Sequence, residues 1–381
     1  MLFWLGLVIL TTYILIAVEV IPGCRKIPFL RDSSPVSADL SPAVSLVVAA
    51  RNEARNIRQG LQSLLALDYP RLQLIVVNDR SEDSTGAILD ELAKTDPRLQ
   101  IIHISELPAG WLGKNHALWQ GSQRAPGDLL LFTDADVVME PQTLACAVNY
   151  LQEHGIDHLA ATPEARMPSL LLNMFGVAFG FFFSMFTRPW KAPDPKSRCH
   201  IGIGAFNLLR REAYFRSGGH QTIALRPDDD LKLGKIVKRA GYRQQLAYGT
   251  GLISVEWYSS VRELVRGLEK NIFAGTDYRL WLVVSGVIFH LLAGVWPYLA
   301  LFVTDGAAWG IYAATVVAIT AILADGARFH GTSPWYALGF PITAALFAFI
   351  ICRSVSLNLT RGGITWRGTF YPLSELRNNR I

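Results

Sequence analysis

Two aspartates one residue apart, Asp134 and Asp136, are the residues of this chain best suited to do chemistry. They follow the apolar run Leu129–Thr133, which predicts a buried parallel strand. In open α/β sheets, ligands bind just beyond the carboxyl ends of such strands. Paired carboxylates at that place can hold a divalent cation such as Mg²⁺ or Mn²⁺, which in turn neutralises a diphosphate. The pattern therefore predicts a metal and diphosphate site.

A second acidic group, Asp228–Asp230, precedes a helix predicted over Leu231–Ala240. Acids at a helix start are favoured electrostatically, so a solvated helix N-terminus is one interpretation. Three consecutive acids exceed what capping needs, which favours catalysis instead. A carboxylate that takes the proton of an acceptor hydroxyl is the general base that a group transfer needs. We therefore expect the run Asp228–Asp230 to contain a catalytic acid.

Further polar residues follow the other predicted strands. Glu53 comes after Val44–Ala50, and Asp79 comes after Leu72–Val77. Helix capping would explain Asp79 taken alone. Taken together, the strand ends predict one rim on which a nucleotide can lie, with Asp79 accepting a hydrogen bond from its base or ribose. Lys114 can reach the diphosphate as a point charge, or it is an ordinary surface lysine.

Strands and helices alternate along this part of the chain, as in a doubly wound sheet that is mostly parallel. The predicted strands are Val44–Ala50, Leu72–Val77, Leu99–Ile104 and Leu129–Thr133, and the predicted helices are Ala54–Leu67, Thr85–Ala93 and Asn115–Gln123. The expected fold class is α/β with flanking helices.

Apolar segments at both ends of the chain predict membrane helices. The chain has 381 residues, of which 51% are hydrophobic, and a mean hydropathy of +0.26. Leu2–Ile21 is long enough to cross a bilayer, and no small-residue cleavage site follows it, so we expect an anchor and not a removed signal peptide. We divide the chain into an N-terminal anchor (1–22), an α/β domain (40–276), C-terminal transmembrane helices (280–352) and a basic tail (353–381).

The basic residues near these segments predict the orientation of the domain. Arg25 and Lys26 follow the anchor, so the positive-inside rule places the α/β domain in the cytoplasm. Three C-terminal spans would then put the basic tail on the far side. Either one segment is re-entrant or the rule fails there, and the sequence leaves both open.

Residues 170–186 form another apolar segment, inside the α/β domain. As a membrane span it would place Asp136 and Asp230 on opposite sides of the bilayer. We therefore expect an interfacial helix or hairpin, with a buried core helix as the alternative.

Composition excludes several other classes of protein. The four cysteines are scattered, which excludes a disulfide framework and a zinc site. The net charge of +5 and the pI near 9.0 fit a membrane-surface protein with an anionic ligand. No basic helix or aromatic platform indicates nucleic acid.

The α/β domain resembles family-2 glycosyltransferases of the GT-A fold, and most closely their membrane-bound branch that glycosylates lipids such as ceramide, hopanoids or carotenoid acids. The segments that carry the resemblance are Val48–Glu53, Val77–Ser81, Trp111–Asn115, Thr133–Asp136, Gly202–Phe206 and Pro227–Asp230. These segments are distributed along essentially the whole α/β domain.

The resemblance implies a donor, an acceptor and a set of site residues. The donor is a nucleotide-diphosphate sugar, commonly UDP-linked, and one sugar passes with inversion to a lipid acceptor. The implied residues are Ala50, Glu53, Asp79, Lys114, Asp134 and Ala135 for the donor, Asp136 with Asp134 for Mg²⁺ or Mn²⁺, and Asp230 as base with Asp229 where the family usually has Glu.

One family motif is altered here. Many relatives carry (Q/R)xxRW, whereas Arg262 and Arg266 are spaced one residue too widely and no Trp follows. This departure weakens the alternative of a processive polysaccharide synthase. A non-catalytic nucleotide-binding membrane scaffold is a third hypothesis, against which the acidic pair argues. We expect an integral protein of the bacterial inner membrane, with the lipid acceptor drawn from that membrane.

Overall fold

The computed structural model describes residues 1–381, and the chain packs as two compact units. The first, here called the sheet unit, comprises residues 27–165, 189–256 and 378–381. The second, the helical unit, comprises residues 1–26, 166–188 and 257–377. Three separate stretches of sequence therefore build each unit.

The strands form one large sheet and two small ones. Their bounds are β1 Val44–Ala50, β2 Leu72–Asp79, β3 Leu99–Ile104, β4 Leu129–Asp134, β5 Val138–Met139, β6 His158–Thr162, β7 Glu164–Arg166, β8 Asn207–Arg210, β9 Gln244–Tyr248, β10 Ile253–Glu256, β11 Gly363–Trp366 and β12 Thr369–Pro372. The seven-stranded sheet has the order β3-β2-β1-β4-β8-β6-β9. The small sheets are β5-β10-β7 and the antiparallel pair β11-β12.

The helices complete the two units. Their bounds are α1 Leu2–Arg25, α2 Ile57–Leu65, α3 Thr85–Ala93, α4 Gly113–Gln123, α5 Thr143–Glu153, α6 Leu170–Thr187, α7 Arg211–Arg216, α8 Gly219–Thr222, α9 Asp229–Arg239, α10 Val261–Gly275, α11 Leu280–Phe289, α12 Trp296–Ala300, α13 Gly306–Phe329, α14 Phe340–Thr360 and α15 Leu373–Asn378. A π-helical turn over His290–Val295 joins α11 to α12.

The first four strands of the large sheet are parallel, which confirms the predicted fold class. In β1, Val44 pairs with Leu72 of β2 and with Leu129 of β4. Successive residues of β1 pack on opposite faces, since Leu46 belongs to one apolar cluster and Val47 to another. A strand covered on both faces needs a continuous apolar run, which is the pattern that predicted it.

The sheet departs from the parallel pattern at β8, which lies antiparallel between β4 and β6. β8 begins at Asn207, directly after the glycine-containing segment Gly202–Phe206. This placement brings the segment to the edge of the sheet where β4 ends, since Phe132 of β4 pairs with Asn207.

The helical unit contains five helices long and apolar enough to cross a membrane: Leu2–Arg25, Leu170–Lys191, Leu280–Ala300, Gly306–Phe329 and Pro334–Thr360. Two of its buried hydroxyl groups find backbone partners inside the unit. The hydroxyl of Tyr13 donates to the carbonyl of Ala293 at 3.1 Å, and that of Tyr312 donates to the carbonyl of Leu2 at 3.0 Å. Such pairing is required where water is excluded.

Candidate active site

Asp134, Ala135 and Asp136 lie at the carboxyl edge of the large sheet, where β4 ends. Ala49 of β1 pairs with Asp134, so β1 ends at the same level. A Cβ on Gly60 of α2 would lie 2.3 Å from the carbonyl oxygen of Ala135. Only glycine lets the helix approach so closely, and this packing holds the backbone between the two aspartates in place.

Lys114 joins the two acidic groups that are far apart in sequence. It lies in the first turn of α4, and its Nζ is 2.8 Å from Oδ1 of Asp134 and 3.4 Å from Oδ2 of Asp229. Its side chain is 23% exposed and that of Asp229 is 9% exposed. The side chain of Asp134 is 41% exposed, so the pair of Lys114 with Asp229 is the one that solvent screens much less than a surface pair. Lys114 is therefore not an ordinary surface lysine.

Gly204 brings the remaining acid into the same place. Its amide donates a hydrogen bond of 2.9 Å to Oδ2 of Asp230, and a Cβ on it would lie 2.8 Å from Oδ2 of Asp134. A Cβ on Gly202 would lie 1.9 Å from the carbonyl oxygen of Asp230. The segment before β8 thus runs in backbone contact with the start of α9, which only glycines permit.

The crowding of carboxylates changes their proton affinities. Burial, together with the charges of Asp134 and Glu53, raises the pKa of Asp136 to about 6. Burial and the charge of Asp229 raise the pKa of Asp230 to about 7. Burial acts to lower the pKa of Lys114, but its acidic neighbours outweigh burial, and the net shift is upward. The site therefore holds an excess of negative charge around one lysine.

The first acid of the Asp228–Asp230 run has a structural role. Asp228 accepts two hydrogen bonds from the guanidinium of Arg226, at 2.9 and 3.0 Å, and Nζ of Lys232 lies 3.4 Å from it. Arg226 and Asp228 are both buried. The two other acids, Asp229 and Asp230, face Lys114 and Gly204.

Asp79, predicted to contact the nucleotide, is already engaged within the chain. It accepts hydrogen bonds of 2.7 and 3.0 Å from Arg80, and Arg51 lies 3.9 Å from it. A Cβ on Gly113 would lie 2.2 Å from Oδ2 of Asp79. The carboxylate therefore lies against the start of α4, next to Lys114, and is 4% exposed. Asp79 therefore lies at the same edge of the large sheet as Asp134, and its carboxylate is paired with Arg51 and Arg80.

The loops after β1 and β2 are tied to one another. The amide of Asn52 donates to Oγ of Ser81 at 3.1 Å, and the amide of Glu53 donates to Oγ1 of Thr85 at 2.8 Å. Ala50, which the resemblance assigns to the donor, is buried and only 1% exposed. These contacts hold the ends of β1 and β2 together, and the charge of Glu53 contributes to the raised pKa of Asp136.

Two pocket residues were missed by the sequence analysis as parts of this site. The pocket is lined by Lys114, Leu118, Phe132, Thr133, Asp134, Gly204, Asn207, His220, Asp229, Asp230 and Leu233. Asn207 accepts a hydrogen bond from the amide of Ile203 at 3.2 Å. His220 contacts the hydroxyl of Tyr214 at 2.9 Å, and burial, with the charge of Lys114, lowers its pKa to about 3. Asn207 directly follows the segment Gly202–Phe206, which was a sequence signal for it, whereas His220 has no such neighbour in the chain.

The donor set agrees with a hard divalent cation. No group of three His, Cys, Asp or Glu side chains in the chain is arranged to hold a metal ion, so Asp134 and Asp136 are the local candidates. Mg²⁺ is commonly bound by one or two carboxylates together with substrate phosphates and waters. Burial raises the pKa of Asp136, and the charges of Asp134 and Glu53 raise it further; a cation bound there would offset that negative charge.

A mostly parallel sheet with this acidic cluster at its carboxyl edge has the architecture of the GT-A fold. Residues 45–216 match the model of the family Glycosyl transferase family 2. The chain therefore contains a Glycosyl transferase family 2 domain.

The chain is similar to curated proteins and to solved structures. It is 21% identical over 255 residues to a 4,4'-diaponeurosporenoate glycosyltransferase of Staphylococcus aureus strain MRSA252, a match that covers 66% of this chain and 67% of the relative. The protein of strain USA300 gives the same values. A mannosyltransferase of Pyrobaculum calidifontis, PcManGT, in complex with GDP-Man and Mn²⁺ superposes with a TM-score of 0.58 and 21% identity, over 94% of this chain and 99% of that one.

Proposed function

We propose that this chain transfers a single sugar from a nucleotide-diphosphate sugar to a lipid-borne hydroxyl or carboxyl group, with a divalent cation at Asp134 and Asp136 and with Asp230 as the base. The observation that carries the proposal is the position of Lys114, whose Nζ bridges Asp134 at 2.8 Å and Asp229 at 3.4 Å. The end of β4 and the start of α9 are thus parts of one cleft. A diphosphate and an acceptor must meet in such a cleft.

Asp134 and Asp136 would hold the cation, which when bound neutralises charge on the leaving diphosphate. Lys114 adds a fixed positive charge beside the same position. The nucleotide lies on the rim formed by Ala50, Glu53 and Asp79. We take the donor to be UDP-linked from the family resemblance, although the Pyrobaculum mannosyltransferase is in complex with GDP-Man.

Asp230 takes the proton of the acceptor as the acceptor oxygen bonds to the anomeric carbon and the bond from that carbon to the diphosphate breaks. Direct displacement of this kind inverts the anomeric centre. A base works best when its pKa is near the operating pH, and the pKa of Asp230 is about 7. Asp229 supports this pKa by its charge and stays paired with Lys114.

The acceptor in this proposal is a membrane lipid. The Staphylococcus aureus relative is named for 4,4'-diaponeurosporenoate, and the chain has five helices apolar enough to span a membrane. We propose that the chain is integral to the bacterial inner membrane, with the sheet unit in the cytoplasm as the basic residues after α1 indicate.

The topology of the sheet supports an interfacial α6 within this proposal. β6 precedes α6 in the chain and β8 follows it, yet the two strands are hydrogen-bonded neighbours. A helix that crossed the bilayer once would separate them. We therefore place α6 in the membrane surface, with the exposed Leu170 and Phe186 toward lipid, while Phe175, Phe181 and Phe182 pack inside the helical unit.

The proposal is tested by incubating the purified full-length protein with UDP- and GDP-linked sugars, with Mg²⁺, Mn²⁺ or EDTA, and with membrane lipids. Release of nucleoside diphosphate and a lipid whose mass rises by one sugar are expected, and both should be lost in EDTA. A ladder of products would favour a processive synthase instead. Nucleotide binding with no sugar released from any donor would favour the scaffold hypothesis.

A further inference from the structure

We propose that Asn379 is a positioning residue of the active site, which holds the loop of residues 222–226 that leads into the acid pair. The kinetic test of this inference rests on the proposed function. The contact of Asn379 with the loop can be measured without any sugar transfer. Asn379 lies about 150 residues beyond the acids in sequence, so no local pattern links them.

Asn379 contacts the loop with both atoms of its side-chain amide. Its Oδ1 accepts a hydrogen bond of 3.1 Å from the amide of Leu225, and its Nδ2 donates one of 3.0 Å to the carbonyl of Thr222. Two bonds to one planar group define both distance and orientation. Ile381 adds an apolar contact, since it packs against the cluster that contains Ile223 and Leu233.

The opposite side of the loop is held by the start of α4. Nδ2 of Asn115 donates to the carbonyls of Ile223 at 2.8 Å and of Arg226 at 3.0 Å. The amide of Leu112 donates to the carbonyl of Ala224 at 2.9 Å. Asn115 directly follows Lys114 in the chain. The loop is therefore fixed between Asn379 and the helix that carries Lys114.

Only two residues of the chain separate the loop from the acid pair, so the position of the loop affects the position of the acids. Arg226 ends the loop and is paired with buried Asp228, and Asp229 is the next residue. Asp229 lies 3.4 Å from Nζ of Lys114. A displacement of the loop therefore moves Asp229 and Asp230 relative to Lys114. Misplacement of catalytic groups by about 1 Å can cost about 100-fold in rate.

The test compares Asn379→Leu with Asn378→Leu in the full-length protein in lipid nanodiscs. Leucine has the same branching at Cγ as asparagine but cannot form either hydrogen bond, and Asn378 is an exposed neighbour. For Asn379→Leu we expect kcat to fall by about tenfold or more while KM for the donor changes by less than about threefold. We also expect amide hydrogen exchange at Leu225 to accelerate by about fivefold, which is the loss of one hydrogen bond. Asn378→Leu should behave as wild type in both measurements.

Each outcome of these measurements either supports the proposal or overturns it. An unchanged kcat with unchanged exchange in residues 222–226 overturns it. A fall in kcat that only follows a loss of folded protein, measured by thermal unfolding, also overturns it, because Asn379 would then be a general stabiliser. If the wild type transfers no sugar, the proposed function fails, and the exchange data alone decide whether Asn379 holds the loop.

Discussion

The amide of Gly204 donates a hydrogen bond of 2.9 Å to Oδ2 of Asp230. On its other side, the position of a Cβ would lie 2.8 Å from Oδ2 of Asp134. One residue without a side chain therefore separates the proposed base from a proposed metal ligand. A side chain at this position would have to displace one of the two carboxylates.

Replacing Gly204 with alanine should reduce kcat by about 100-fold, because the added methyl group displaces at least one of the two carboxylates. The comparison variant is Gly326→Ala, where a Cβ would meet no atom within 4 Å. Steady-state sugar transfer measures the difference. Equal rates in the two variants would show that the spacing of Asp134 and Asp230 does not matter for transfer.

Asp136→Asn should reduce transfer by about 1000-fold and abolish its dependence on Mn²⁺ concentration, since one of two cation ligands is lost. Folding should be retained, because the raised pKa of Asp136 shows that its charge is unfavourable where it lies. Asp39→Asn, at an exposed acid, is the control. A variant that transfers sugar like wild type removes Asp136 from the metal site.

Asp230→Asn should abolish transfer, with a loss of about 1000-fold from the missing general base. Donor binding should persist, because Asp230 serves the acceptor in this mechanism. Titration of the variant with a nucleoside diphosphate and product assays at saturating donor separate the two effects. Turnover near that of wild type would assign the proton transfer to another group.

The same variant should be more stable than wild type at neutral pH in the absence of divalent cations. The pKa of Asp230 is raised from 3.8 to about 7 in the folded chain, so the fold favours the protonated acid. The stability contributed by this preference is complete below about pH 4 and is lost as the pH rises through 7. The gain in melting temperature of Asp230→Asn over wild type should therefore be larger at pH 8 than at pH 5. An equal gain at both values would contradict the shift.

Lys114→Met should change stability in the opposite direction. It leaves Asp134 and Asp229 without the cation between them, at a cost of about 1–3 kcal/mol. Thermal unfolding of this variant is compared with Lys94→Met, at an exposed lysine. Adding Asp134→Asn to Lys114→Met should restore part of the loss. No recovery in the double variant would mean that the pair does not contribute to folding.

Local sequence patterns predicted the first and last residues of several helices and strands as the structure has them. Val44–Ala50, Thr85–Ala93 and Leu99–Ile104 agree residue for residue. Periodicity and apolar runs depend only on neighbouring residues, so a single sequence contains the information. The antiparallel β8 and the small sheet β5-β10-β7 were not predicted, because their pairing depends on partners far along the chain.

The residue types at the ends of the predicted strands indicated the class of chemistry without the structure: acids at the end of β4 and at the start of α9, and polar residues after β1 and β2. Only the tertiary structure decided how the acids divide their roles, with Asp228 paired to Arg226 and Asp229 facing Lys114. It also brought Gly204, His220 and Asn379 to the same neighbourhood. The physical reason is that the chemical type of a side chain limits what it can bind. Burial and contacts between distant segments decide which partner it binds.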